Sequence, residues 1–182
     1  MLKKFSGLLR TVVKRKQQPF EARNVTIKEQ EYFLRSINDY DIKELIALEK
    51  DVYLGEVPWT KSAFMAEIHS PIPHLYICLT HQEELVAFIG ARVIGNDAHI
   101  TNVAAKRVFQ GRGLGTFLID EVEKFAIMKG CITMSLEVRI SNKDAQRLYR
   151  RLGFEGQKIR RNYYTENNED ALEMVKTLED EK

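Results

Sequence analysis

The sequence predicts an α/β fold built on a mixed, mostly antiparallel β-sheet. Short apolar runs, several of them alternating with polar residues, are separated by longer stretches whose apolar positions recur every three or four residues. The strand–helix–strand unit across residues 98–140 predicts parallel pairing through a right-handed crossover. The hairpin signal Gly95-Asn96-Asp97 predicts antiparallel pairing for the preceding strands.

The first half of the chain predicts a strand, two helices and three further strands. A short strand at Tyr32–Ile37 precedes a helix from about Asp41 to Val52, whose apolar positions share one face. The loop Leu54–Trp59 leads to a second helix, for which Thr60 is a suitable N-cap. The three strands are predicted at His74–Leu79, Leu85–Ile94 and Ala98–Ala105.

The second half predicts two helices, a strand between them and a closing pair of strands. The helix Leu114–Lys129 carries an apolar stripe, and the run Ile132–Ile140 alternates between an apolar and a polar face. Ser141 and Asp144 are spaced like a capping box at the start of the helix Asn142–Leu152. The closing strands are predicted at Phe154–Asn162 and Ala171–Lys176.

Composition indicates a globular domain without a membrane span. The 182 residues include 28 basic and 26 acidic side chains, and no stretch approaches the roughly 20 apolar residues of a transmembrane helix. Cys78 and Cys131 lie in strand-like runs without metal or redox spacing, so we expect two buried, reduced thiols and a cytoplasmic protein. The four histidines show no ligand spacing, and we expect no metal.

The first 30 residues are interpreted as a basic arm and linker, before a folded domain over residues 31–182. Residues 1–20 hold six basic side chains and no acidic one, and apolar residues recur there at helical spacing. This arm is either a mobile tail, a contact for RNA or another anionic surface, or an organelle transit peptide. Residues 21–30 are polar and aperiodic, which predicts a linker.

The segment Gln110-Gly111-Arg112-Gly113-Leu114-Gly115 carries the strongest chemical signal, because an amphipathic helix follows it at once. Glycines let backbone N–H groups approach an anion, and the helix start adds its positive dipole end and unpaired N–H groups. The spacing matches neither the G-x-G-x-x-G fingerprint nor a Walker loop. An ordinary tight turn explains one or two of the glycines but not the helix start, so the segment predicts a pyrophosphate-binding loop.

Motifs across residues 31–177 resemble a known family. The glycine segment is similar to the Gln/Arg-x-x-Gly-x-Gly/Ala pattern of the GNAT acetyltransferases, whose fold has helices on both faces of the central sheet. A more specific series resembles the bacterial ribosomal-protein-alanine N-acetyltransferases of the RimI type. Its members are Pro58-Trp59-Thr60, Ala98-His99-Ile100, Asn102-Val103-Ala104, Leu136-Glu137-Val138-Arg139, Ser141-Asn142, Leu148-Tyr149, Leu152-Gly153-Phe154 and Arg161-Asn162-Tyr163-Tyr164. The chain departs from the family at Ala105 and Lys106, where Val or Ile and His are usual.

This resemblance implies acetyl-CoA as the cosubstrate. Backbone groups of Val103, Ala104 and Ala105 would hold its pantetheine arm and thioester. Arg112 would add a charge contact to the pyrophosphate, or is a solvated loop arginine. Asn142 would bond the pantetheine arm, or is only a helix N-cap. The residues implied around the pyrophosphate are Gln110, Gly111, Arg112, Gly113, Leu114, Gly115 and Thr116.

The resemblance also implies a proton acceptor and a proton donor. Glu137 lies on the polar side of its alternating strand, where periodicity alone favours a solvated glutamate paired with Arg139; the motif makes it the general base. An α-amine has a pKa of about 8, so a proton must be removed before attack. Tyr149 is implied as the general acid for the CoA thiolate, or is a half-buried helix tyrosine. Neither cysteine has a neighbouring base, so direct attack in a ternary complex is expected.

The expected substrate is the N-terminal alanine, or another small residue, of a ribosomal protein. Tyr163 and Tyr164 resemble the family's wall for the peptide N-terminus, although paired aromatics at a strand end also serve as packing, and Trp59 would line the same slot. Two alternatives stay open: a GNAT enzyme acting on a lysine side chain or small-molecule amine, and a non-catalytic acyl-CoA-binding module. We expect a monomer or weak oligomer.

Overall fold

One mixed sheet runs through residues 20–53 and 59–178, the part of the chain that the computed structural model describes. Its strands, in chain order, are β1 Arg23–Ile27, β2 Gln30–Ser36, β3 His74–His81, β4 Glu84–Ile94, β5 Asp97–Ala105, β6 Thr133–Arg139, β7 Glu155–Tyr164 and β8 Glu169–Thr177. The helices in these residues are α1 Ile42–Val52, α2 Lys61–Ile68, α3 Leu114–Met128 and α4 Lys143–Arg151. The spatial order is β1-β2-β3-β4-β5-β6-β8-β7. The arm of residues 1–19 and most of the predicted loop, residues 54–58, lie outside the described residues.

Helices cover both faces of the sheet, as the family resemblance implies. α1 and α2 pack on one face around Phe64 and Phe88, which are fully buried. α3 packs on the other face through Leu118 and Val122, and α4 adds Tyr149 to that second core. β3 and β4 send side chains into both cores, which is why these strands are continuous apolar runs in the sequence.

β5 and β6 are the parallel pair, as predicted. They pair only near their amino ends and then separate. The residue pairs that join them are Asp97–Thr133, Ala98–Met134 and His99–Ser135. Both strands continue beyond His99 and Ser135 without pairing to each other. The carboxyl ends of the two strands therefore border a wedge-shaped opening, and the segments that lead into α3 and α4 begin at its rim.

A β-bulge lies where the opening starts. The register between β4 and β5 shifts at Thr101, which has no partner in β4. The Tyr76 hydroxyl lies 2.5 Å from Thr101 Oγ1, and its ring crosses Gly90, where a Cβ would stand only 2.2 Å from the ring. A side chain at Gly90 would displace this tyrosine from its contact with Thr101.

The linker predicted over residues 21–30 is wrong. Arg23–Ile27 form β1, which pairs antiparallel with β2 through a two-residue turn at Lys28 and Glu29, both at positive φ. Within β1, Ile27 is buried and Val25 is half-buried between polar neighbours. An edge strand with one solvated face lacks the apolar run by which strands are recognised in a sequence.

The predicted capping box at Ser141 and Asp144 is also wrong. Asn142 is the N-cap of α4, and its Oδ1 accepts a hydrogen bond of 3.1 Å from the backbone N–H of Ala145. The Ser141 hydroxyl donates instead to Glu169 in β8, a contact between distant segments that local spacing does not reveal. Cys78 and Cys131 are both buried, as predicted. In the described part of the chain, no helix has the length and apolar character to cross a membrane.

Candidate active site

The opening between β5 and β6 widens into a cleft of about 660 Å³, a volume in the range of small-molecule sites. α1 and Trp59 form one wall of the cleft, and α3, α4 and the end of β7 form the other. The cleft brings together every predicted site residue except Arg112. Those that line it are Trp59, Val103, Ala104, Ala105, Gln110, Gly111, Gly113, Leu114, Gly115, Thr116, Glu137, Asn142, Tyr149, Tyr163 and Tyr164.

The three glycines of the glycine segment line the cleft, and no Cβ covers their backbone there. Gly111 and Gly113 have φ angles of 75° and 87°, a conformation that side-chain-bearing residues rarely adopt. Gly113 is the N-cap of α3, and among the described residues no side chain caps this helix. The first backbone N–H groups of α3 are therefore available to an anion in the cleft.

The side chains of Gln110 and Arg112 in this segment contact other protein groups. The Gln110 amide donates to the Ala105 carbonyl at 3.1 Å and ties the segment to the end of β5. The Arg112 guanidinium lies 4.9 Å from the ring centroid of Phe109 and does not line the cleft. Asn142 lines the cleft while its oxygen caps α4, so its N-cap role is confirmed and its pantetheine contact stays a prediction.

Glu137 is an ionised carboxylate at the rim of the opening. Its side chain is 9% exposed, with Oε2 3.2 Å from His99 Nε2 and Oε1 3.3 Å from Arg160 Nε. Burial raises the pKa of this carboxyl, but the hydrogen bond and charge of His99, the charge of Arg160 and a hydrogen bond from Tyr163 outweigh burial. The pKa of Glu137 therefore lies below its ordinary value.

A hydrogen-bonded chain runs from Glu137 along the paired part of β5 and β6. The Ser135 hydroxyl donates to Asp97 at 2.5 Å, because a carboxylate can only accept. His99 Nδ1 must then be the donor to Ser135 Oγ, at 2.9 Å, which turns Nε2 towards Glu137. Thr133 donates a second hydroxyl hydrogen bond to Asp97 at 2.7 Å. The sheet thus fixes the ring of His99 beside the candidate base.

Tyr149 is a buried phenol facing the cleft. It is 8% exposed, and its ring packs edge-on against Phe154 with the centroids 6.0 Å apart. Burial, and to a lesser degree Tyr53, raise the pKa of Tyr149, so its hydroxyl stays protonated at neutral pH. Tyr53 at the end of α1 also lines the cleft, and no motif or periodicity in the sequence pointed to it.

Tyr163 and Tyr164 lie at the mouth of the cleft because β7 is irregular there. The register between β7 and β8 shifts after Arg160, and Asn162 has a φ of 48° while its backbone N–H donates to Asp170 at 2.9 Å. The Tyr164 ring is covered by the Arg139 guanidinium, 4.0 Å from the ring centroid.

Glu49 is a cleft residue absent from the predicted site. It is completely buried, and its two oxygens accept hydrogen bonds from Asn102 Nδ2 at 2.6 Å and the Trp59 backbone N–H at 3.1 Å. Burial raises its pKa to about 7, against the lowering effect of those hydrogen bonds. The sequence did hold a signal: Glu49 lies on the apolar face of α1, between Leu45 and Val52.

Comparisons with known proteins agree with this geometry. Residues 40–154 match the family model described as Acetyltransferase (GNAT) family. The ribosomal protein bS18-alanine N-acetyltransferase of Salmonella typhimurium is 36% identical over 120 residues, which cover 65% of this chain and 80% of that protein.

Two solved structures share the fold. The ribosomal-protein-S18-alanine N-acetyltransferase from Escherichia coli has a TM-score of 0.71 at 28% identity, covering 83% of this chain and 96% of that one. Arabidopsis thaliana NAA60 in complex with acetyl-CoA has a TM-score of 0.71 at 19% identity, covering 81% and 98%. The parted strands, the glycine-capped helix and these matches together identify the chain as a member of the GNAT acetyltransferase family, similar to its ribosomal-protein-alanine N-acetyltransferases.

Proposed function

We propose that the chain transfers the acetyl group of acetyl-CoA to the N-terminal α-amine, most simply of alanine, of a ribosomal protein in the cytoplasm. One observation carries the proposal: the cleft joins a free strand edge and a glycine-capped helix start to an ionised glutamate and a protonated tyrosine. The names of the Salmonella and Escherichia coli relatives support the ribosomal substrate.

The residues of the cleft fit acetyl-CoA. Beyond His99 the edge of β5 facing β6 is free, so those backbone groups of Val103, Ala104 and Ala105 that point away from β4 can pair with the amides of a pantetheine arm. The Ala105 carbonyl already accepts one hydrogen bond, from the Gln110 amide. The start of α3 offers N–H groups to the diphosphate. The bound cosubstrate supplies an acetyl thioester; the protein supplies the positions and the protons.

Glu137 is the proposed proton acceptor. Transfer from an ammonium of pKa about 8 to a carboxyl of pKa below 4.5 is uphill by at least about 5 kcal/mol. A relay water leaves this cost unchanged, because the proton ends on the same carboxylate. A water held by the Glu137–His99 pair, whose orientation Ser135 and Asp97 maintain, would bridge the distance between the amine and Glu137. The ionised carboxylate also attracts the substrate ammonium into the cleft.

Tyr149 is the proposed proton donor to the departing sulfur, since its raised pKa keeps the phenol protonated. Trp59, Tyr163 and Tyr164 form the proposed wall of the peptide slot. The backbone of Trp59 is fixed by Glu49, which links the peptide side of the cleft to β5 through Asn102.

Steady-state kinetics with peptides that differ only at the first residue test the proposal. Free CoA should appear with an alanine N-terminus, and initial-rate plots should intersect, as expected for a ternary complex. Release of CoA with internal lysines or small amines but not with free N-termini would favour another GNAT activity. Absence of turnover with every amine, despite acetyl-CoA binding, would favour the non-catalytic module.

A further inference from the structure

The tip of the β1–β2 hairpin lies on the glycine segment. Lys28 Nζ donates to the carbonyl oxygen of Gly111 at 3.0 Å. The same side chain passes Gly113 so closely that a Cβ there would stand 3.4 Å from Lys28 Cε. Lys28 also lines the cleft. An ammonium group is therefore held at the start of α3, where the anion-binding N–H groups are exposed.

The fold sets the position of the hairpin that carries this lysine. At the far end of β1, Arg23 Nη2 lies 2.5 Å from Glu121 Oε2, and Glu121 in α3 is 5% exposed. Near the tip, Ile27 is buried in the core that α3 forms. β1 is thus anchored to α3 at both ends, which fixes the backbone position of Lys28 beside the glycine segment.

The charge of Lys28 is not compensated by any carboxylate in the described part of the chain. Among the described residues, no carboxylate forms an ion pair with its ammonium, and only one of its three N–H donors has a partner. A cation beside the positive end of a helix is electrostatically unfavourable. The arrangement becomes favourable when an anion binds between the ammonium and the helix start.

We propose that Lys28 binds a phosphate group of CoA, most directly the diphosphate at the glycine segment. This proposal rests on the proposed acetyl-CoA site. It adds Lys28 to that site, and Lys28 lies outside residues 40–154, the region that matches the family model. Lys28 would add a charge contact to the phosphate beside the N–H groups of α3. The hairpin that carries it is thereby part of the cosubstrate site.

Calorimetric titration with CoA, dephospho-CoA and pantetheine tests the proposal. Lys28→Gln should weaken CoA binding about tenfold at low salt, leave pantetheine binding unchanged and lose most of its effect at high salt. Lys28→Arg should retain most of the affinity. Lys43→Gln, at an exposed position of α1, is the matched control and should bind like the wild type.

Dephospho-CoA, which lacks the 3′-phosphate, locates the contact. An equal loss on CoA and dephospho-CoA supports the diphosphate, and a loss on CoA alone supports a phosphate contact at the 3′ position. Unchanged CoA binding by Lys28→Gln, or an equal loss on pantetheine, would overturn the proposal. Because binding is measured without turnover, a protein that binds CoA through Lys28 but acetylates no amine would refute only the proposed function. Failure of the wild type to bind CoA would overturn both.

Discussion

Replacing Glu49 by glutamine should remove a large pH dependence from the stability of the protein. The folded protein holds this carboxyl at a pKa of about 7 because it is completely buried, whereas in the unfolded chain its pKa returns to 4.5. Because its pKa is higher in the folded state, Glu49 holds a proton there at pH values between 4.5 and 7 at which the unfolded chain has lost it. The stabilising contribution of Glu49 is therefore full below pH 4.5 and is lost as the pH rises through 7.

The magnitude follows from the two pKa values. Between pH 5 and pH 8, the wild type should lose about 2.5 kcal/mol of unfolding free energy through this one group. The glutamine of the Glu49→Gln variant has no proton to lose. It can keep both hydrogen bonds if the Asn102 amide turns over, because its oxygen then accepts from the Trp59 N–H and its amide donates to the Asn102 oxygen.

Urea unfolding at a series of pH values measures the difference. The stability of Glu49→Gln relative to wild type should rise by about 2.5 kcal/mol from pH 5 to pH 8, and taking the difference cancels the groups common to both proteins. Glu155→Gln, at an exposed position of β7, is the matched control for removal of a carboxyl group. Parallel pH profiles for wild type and Glu49→Gln would show that Glu49 is not held protonated by burial.

Four further substitutions test the site. Glu137→Gln should lower kcat about 100-fold or more while acetyl-CoA binding, measured by calorimetry, is retained; an unchanged kcat would remove it from proton transfer. Tyr149→Phe should reduce kcat by a similar factor with full affinity for CoA, and normal turnover would exclude it as the acid. Gly113→Ala should lower the free energy of unfolding by about 1 kcal/mol in urea, because the backbone φ of 87° at Gly113 disfavours a side chain. The same substitution should raise the KM for acetyl-CoA, since the residue lies next to the anion site. In Gly111→Ala the new Cβ would meet open space, so backbone strain alone predicts its loss of stability. A negligible change in the unfolding free energy of both glycine variants would contradict backbone strain at these two positions.

The central elements were predictable because their apolar patterns are strong. β3, β4 and β5 each have at least one buried face. The apolar runs in the sequence predicted strand ends close to the observed ones. β1 was missed because an edge strand with polar alternate residues looks like a loop. The cap of α4 was assigned one residue early because Glu169, 28 residues away, engages Ser141.

The candidate site was predictable where it depends on local backbone or on motif, and not where it depends on distant contacts. The glycine segment is local, so its helix start and positive φ angles follow from its composition. Lys28 reaches Gly111 across 83 positions of the chain, and no periodicity encodes that contact. Glu49 was visible only as a charge on an apolar helix face, and its raised pKa depends on burial that the tertiary fold decides.

Mass spectrometry of the peptide product tests the proposed function most directly. After incubation with acetyl-CoA and an alanine-starting peptide that also contains a lysine, fragmentation locates the acetyl group. We expect one acetyl group on the α-nitrogen of the first residue, and its loss with Glu137→Gln. An acetyl group on the lysine side chain, or an unmodified peptide in the presence of bound acetyl-CoA, would contradict acetylation of the N-terminal amine.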